Sequence, residues 1–180
     1  MKKITVRELA LCGVLAAVYA GVTLATASFA YGPIQFRIAE ALCVIPFFAP
    51  VTSLGLFVGC LVANLFSPVT ALDIVIGSAA TLLGCLWTSR LRSRWLTPLP
   101  TVLVNAVMVG AMLAAVYTPD AFWQGFLLNG LQVGAGELAV MLVLGLPLAS
   151  YLQRSRLIDR VLGTRRSAAQ DRAAGTGNAR

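Results

Sequence analysis

Between Leu9 and Gln153 the chain carries only eight charged residues, and three of them, Arg37, Glu40 and Glu137, lie inside or at the edge of apolar runs. A stretch so poor in charge has no polar surface with which to meet water. At 58% hydrophobic and a mean hydropathy of +0.83, the 180 residues read as one integral membrane domain, with most of the charge at the two ends. An ionised group in hydrocarbon costs several kcal/mol, so each of the three needs a partner, a water-filled cavity or a ligand.

Composition also excludes. The net charge of +7 does not mark nucleic-acid binding, because the basic residues fall in an N-terminal stub, one short loop and a tail, without interleaved aromatics. Cys12, Cys43, Cys60 and Cys85 are scattered singly through apolar segments, and there is no histidine to share a metal. They read as small core residues, with no metal or cofactor implied. The chain has no HExxH, no GxSxG and no GxxxxGK[ST] loop, so nucleotide-driven work must come from a partner.

With ~20 residues per span as a template, apolar segments fall near Leu9 to Phe29, Phe36 to Phe48, Thr52 to Phe66, Ile74 to Leu91, Thr101 to Tyr117 and Phe122 to Tyr151. The expected fold is an all-α six-helix membrane bundle. The second and third segments can also be one span kinked at Pro50, and charge decides between the two. Six spans with both termini inside place 13 of the 14 basic residues in the cytoplasm, Arg37 being the exception. Merging two segments would put Arg90, Arg92 and Arg94 outside, against the positive-inside rule.

Lys2 and Lys3 before an apolar run ending in Ala25-Thr26-Ala27 imitate a signal peptide, but the run exceeds the usual signal core and is expected to stay as the first helix. The expected division is a transmembrane substrate-binding domain over 1–153 and a basic cytoplasmic tail over 154–180. After Leu162 that tail is rich in Gly, Ala and Arg and lacks large apolar residues, a composition that favours disorder.

Several residues are candidates for chemistry. In the first helix Gly13, Ala17 and Gly21 recur every four positions, with Ala16 and Ala20 in a parallel stripe. Such a face serves either intramolecular packing or the docking of a second membrane subunit. Arg37 and Glu40 are three apart and share a helical face; they either pin the loop to the helix start or, with Gln35, close a pocket from its mouth. Asp73 reads as a helix N-cap with Asn64 as a candidate partner. Trp123 is a belt residue or a cover for an aromatic ligand. In the sixth segment Gln132, Gly134 and Gly136 precede Glu137, about 15 residues and ~22 Å into the helix. The glycines leave room beside that carboxylate, near mid-membrane, and Asn105 is the obvious polar partner.

Four stretches bring a family into view: Gln35 to Leu42, Gly59 to Leu65, Asp73 to Leu83, and Gly136-Glu137. In these the chain resembles the QueT family, membrane-embedded substrate-binding S components of energy-coupling factor (ECF) transporters, over roughly Arg7 to Ser150. The resemblance implies six helices with both termini cytoplasmic and a pocket opening outward, in the plasma membrane of a prokaryote. It also implies docking of the first helix, through Gly13, Ala16, Ala17 and Ala20, onto a transmembrane coupling subunit and through it two ATPases. Glycine at position 13 departs from the family's alanine but keeps the surface small.

The implied substrate is a queuosine precursor of the 7-deazaguanine type. Its N–H and amino edge suits a carboxylate, for which Glu137 is the candidate. Gln132 and Asn105 can read the carbonyl side, Arg37 and Gln35 can close the lid, and Tyr31, Phe36 or Trp123 can stack on the ring. Glu40, Asn64 and Asp73 complete the expected site. The rivals are an S component for another vitamin or small aromatic nutrient, and a stand-alone transporter cycling a proton on Glu137 or Asp73, against which no inverted repeat is visible. An intramembrane enzyme lacks any nucleophile and base set.

Overall fold

The structure, a computed structural model, describes residues 4–31 and 34–162, and these are all helical or connecting segments without a strand. Thr5 opens the first helix: its hydroxyl caps the Glu8 N–H while the Glu8 carboxylate returns to the Thr5 N–H. This capping box starts α1 (Val6–Ala25) three residues earlier than the apolar run alone indicates. A break at Thr26 leads into the single turn α2 (Ala27–Ala30).

The second apolar segment is not an α-helix. Ile38–Phe47 forms a ten-residue 3₁₀ helix with Pro46 inside it. At ~2.0 Å per residue it rises ~20 Å, where an α-helix of that length would rise ~15 Å. It touches α1 and every later long element of the bundle, and most of its residues are buried. It ends before the turn containing Pro50, as the two-segment reading expects, and α3 (Thr52–Asn64) follows.

Beyond it come α4 (Leu72–Thr88), α5 (Pro98–Tyr117) with proline in its first turn, and α6 (Phe122–Val140). The last long segment continues through a π-helical turn at Met141–Gly145 into α7 (Leu146–Ser155), and α8 (Leu157–Leu162) closes the described chain. Gly134 and Gly136 lie within the unbroken α6, and the irregular turn begins five residues after Gly136. The expectation of disorder after Leu162 falls on residues outside the described ones.

Three stretches are long and apolar enough to cross a membrane, Val6–Ala25, Arg94–Tyr117 and Pro119–Ser155, with shorter apolar helices at Ile38–Phe47, Thr52–Asn64 and Leu72–Thr88. The sorting of side chains is that of a membrane protein. Val75, Leu131 and Val143 point outward, while Arg37, Glu40, Asp73, Asn64, Asn105 and Glu137 are buried. One apolar cluster joins α1, the 3₁₀ helix, α3 and α7 around Tyr19, Leu56 and Met141; a second joins α4, α5 and α6 around Val109, Met112 and Val133.

Candidate functional site

The 3₁₀ geometry explains the centre of the site. Residues three apart eclipse one another on such a helix, so Glu40 and Cys43 share a face, and the Cys43 thiol donates to Glu40 Oε2 at 3.0 Å. Glu40 Oε1 accepts from the hydroxyl of Tyr19, a fully buried α1 residue, and has the Thr81 hydroxyl of α4 at 3.2 Å. Three neutral donors from three elements thus hold one buried carboxylate. Tyr19 and Thr81 carry no sequence signal for this role, because each reads as an ordinary residue in an apolar run.

Arg37 departs from the expected pairing with Glu40. It occupies the N-cap of the 3₁₀ helix in extended conformation, so helical i, i+3 geometry does not apply to it. Its guanidinium instead reaches Asp73 on α4, with Nη2 donating to Oδ2 at 3.0 Å and to Oδ1 at 3.3 Å, both side chains buried. Asp73 is correspondingly not the N-cap of α4, which is Ala71. Its carboxylate also accepts from the Ser67 hydroxyl at 2.7 Å, and Asn64 Nδ2 donates to its backbone carbonyl at 3.0 Å, so Asn64 is its neighbour as expected. Tyr31 lies beneath the guanidinium, 5.5 Å from ring centroid to Cζ. Burial raises the Tyr31 phenol above its ordinary range, with the Arg37 charge opposing.

On the other side, Asn105 Nδ2 of α5 donates to Glu137 Oε1 of α6 at 2.7 Å, the partnership that the sequence indicates. Gln35, Arg37, Glu40, Asn105, Val109, Val133 and Glu137 surround a chamber with about 10 Å³ of free space. That is room for about one water. Above it opens a wider space of about 340 Å³, lined by Tyr31, Gln35, Tyr117, Asn129 and Gln132 among others. Gln35 lines both spaces.

Gln35 holds its place at a backbone cost. Its φ of 49° is left-handed, uncommon for a residue other than glycine. The preceding Ile34 carbonyl packs onto α6 where Gly136 has no side chain: a Cβ there would lie 2.1 Å from the Ile34 oxygen. Gly136 therefore admits the loop rather than bending the helix.

The chamber is incompletely satisfied. Arg37 Nε and Asn105 Oδ1 are buried without a hydrogen-bond partner, and Glu137 receives only the Asn105 amide. Among the chamber-lining residues one donor, Arg37 Nε, and one acceptor, Asn105 Oδ1, thus lack partners, which costs stability unless a ligand completes them. Among the sequence candidates, Gln35, Arg37, Glu40, Asn105 and Glu137 meet here; Gln132 lines the wider space, and Asn64 and Asp73 stand behind Arg37. Trp123 lines neither space: it is 78% exposed and packs on Phe122 and Phe126. Phe36 also lines neither. Among the described residues no group of His, Cys, Asp or Glu could hold a metal.

The first-helix stripes separate. Gly13, Ala17 and Gly21 are exposed, and a Cβ at either glycine would meet nothing within 4 Å. Ala20 is buried, and Ala16 is half-buried with its backbone against α3, where a Cβ at Gly59 would lie 2.7 Å from the Ala16 carbonyl.

Residues 9–154 match the family model described as QueT transporter. The chain belongs to the QueT transporter family. This is an S-component family of ECF transporters, a transport family rather than an enzymatic one, and its members generally work with ECF module partners. Membership and the apolar helices together describe a multi-pass membrane protein. No curated protein and no solved structure matches the chain.

Proposed function

We propose that this QueT protein is the membrane-embedded binding subunit that captures a queuosine precursor, a 7-deazaguanine, for import by an ATP-driven ECF complex. The carrying observation is the unfinished hydrogen bonding of the chamber: Arg37 keeps a free donor, while Asn105 Oδ1 and Glu137 keep acceptor capacity. A deazaguanine presents carbonyl, ring N–H and amino group in a row along one edge, an acceptor beside two donors. Glu137 accepts from the N–H and amino groups, and Arg37 donates to the carbonyl.

The free space at Glu137 is too small for a ring, so binding requires Gln35 to swing and join the chamber to the wider space above. Tyr31 then faces the ring and Gln132 its flank. Asp73 and Asn64 fix Arg37, and Glu40 lines the chamber wall. The bundle crosses the membrane six times with both termini in the cytoplasm, supported by the 13 basic residues that this topology collects inside. The exposed Gly13, Ala17 and Gly21 face, flanked by Ala16 and Ala20, docks the coupling subunit, which joins two ATPases.

The test is ligand-dependent thermal stabilisation of the detergent-purified protein against deazaguanines, guanine, riboflavin, thiamine and biotin. A ligand confined to the folded state adds about 2.7 kcal/mol at a hundredfold excess over Kd. Stabilisation by a deazaguanine, lost in Glu137→Ala, is expected. A response only to a vitamin refutes the substrate and keeps the architecture; uptake that needs a proton gradient but no partner subunits refutes the ECF role.

A further inference from the structure

A second hollow lies away from the chamber, on the outside of the bundle. Leu83 and Trp87 of α4 and Leu103, Val104, Val107 and Met108 of α5 line an apolar groove of about 330 Å³, which shares no residue with the chamber or with the space above it. Trp87 is 46% exposed and Val107 55%, so the groove opens towards the surroundings of the bundle, which for a multi-pass membrane protein are lipid or another protein. Its two walls are joined at one end by the connection from Ser89 to Thr97, which carries Arg90, Arg92 and Arg94 and no acidic residue. Arg90 stands at that end, since its N–H donates to the Trp87 carbonyl at 3.0 Å. Arg94 is held in place, its Cζ 4.9 Å from the Trp95 ring centroid and its Nη1 donating to Gln153 of α7 at 2.8 Å. Arg90 and Arg92 are exposed, and among the described residues neither has a carboxylate partner. Because α4 ends and α5 begins at this connection, their helix dipoles oppose one another and the arginines set the sign of the local charge.

We infer that the groove and the arginines at its end form a binding site for an anionic phospholipid, with an acyl chain along α4 and α5 and the headgroup phosphate on Arg90 and Arg92. Basic residues beside a cleft between membrane helices are the form that such recognition takes on the cytoplasmic side. Trp87 suits the boundary, with an apolar ring for the chain and an indole N–H for the headgroup. A partner helix in the groove would leave the two arginines without counter-charge, and a soluble anion on the arginines would leave the groove empty. A phospholipid satisfies both at once. The topology proposed above assigns the lipid to the inner leaflet; the groove and its charges do not depend on that assignment or on the substrate.

The test titrates the full chain, purified in a non-ionic detergent, with phosphatidylglycerol and with phosphatidylcholine carrying the same brominated chains, and follows the saturable quenching of tryptophan fluorescence. Phosphatidylglycerol is expected to bind about tenfold or more tightly, since each arginine beside an anionic headgroup contributes roughly fivefold. That preference should shrink as salt is added. The double variant Arg90→Gln, Arg92→Gln alters only exposed side chains and should bring the two lipids within about twofold of each other. Val107→Trp, or Leu103→Trp should the first melt early, fills the groove and should weaken phosphatidylglycerol binding about tenfold with both arginines in place. Equal affinities for the two lipids in the parent overturn the inference, and so does a preference that survives the double variant. Unchanged affinity in both groove-filling variants, or protection of the protein by glycerol 3-phosphate as strong as that by the lipid, shows a headgroup contact without a seated chain and equally overturns it. Saturable quenching by neither lipid overturns it as well and leaves the groove to a partner helix.

Discussion

At the residue scale the molecule depends on Arg37 and Asp73, which meet across 36 positions of chain with both side chains buried. A buried pair need not add net stability over a well-packed apolar pair, but removing one member leaves the other charged and alone. Asp73→Asn is therefore expected to destabilise by about 3–5 kcal/mol, seen as a large drop in the detergent melting temperature. The combined Arg37→Met, Asp73→Leu variant should recover most of that loss while still failing to bind ligand. If the single variant melts like the parent, the guanidinium has another partner. Tyr19→Phe tests the neighbouring group, since it removes one of three donors to Glu40; about 1–3 kcal/mol of destabilisation is expected. The sequence made Arg37, Glu40 and Glu137 conspicuous because charge in an apolar run is costly. It could not pair Arg37 correctly, because local spacing favours Glu40 and the true partner is set by the packing of α4 against the 3₁₀ helix.

At the scale of elements, the loop before the 3₁₀ helix and α6 are fitted to each other at one point, Gly136 against the Ile34 carbonyl. Alanine there raises helix propensity by up to about 1 kcal/mol, so α6 itself gains. Its methyl would nevertheless occupy the space of the Ile34 oxygen and push Gln35 away from the chamber mouth. The overlap with backbone outweighs that gain, so Gly136→Ala is expected to melt below the parent temperature and to bind ligand roughly tenfold more weakly, the cost of about one hydrogen bond. Unchanged affinity would mean that the loop position is irrelevant to binding. The element boundaries were largely legible from apolar runs and prolines, but the 3₁₀ character of Ile38–Phe47 was not. Over ten almost uniformly apolar residues there is no polar face to reveal a period of 3.0 rather than 3.6. The π turn at Met141–Gly145 was hidden for the same reason, in a run with no polar residue to mark a face.

For the whole molecule, the question is which face of the bundle is left for the ECF partners with which the family generally works. Two small-residue stripes on α1 were equal candidates by spacing, and only the fold distinguishes them. The stripe through Ala16 and Ala20 lies towards α3, where Gly55 and Gly59 bring the backbones together, while Gly13, Ala17 and Gly21 look outward with nothing above the glycines. A bulky residue on the outward stripe should therefore spare the bundle and block a partner. Ala17→Trp is expected to keep the parent melting temperature and ligand affinity in the isolated chain. Uptake by cells that co-express the coupling subunit and both ATPases should fall to background. Gly59→Leu is the contrasting case: its side chain would collide with the Ala16 backbone, so the isolated protein should already melt early. Full uptake with Ala17→Trp would remove this face from the docking surface. Loss of ligand binding in that variant would mean that the substitution disturbs the chamber through Tyr19, which donates to Glu40.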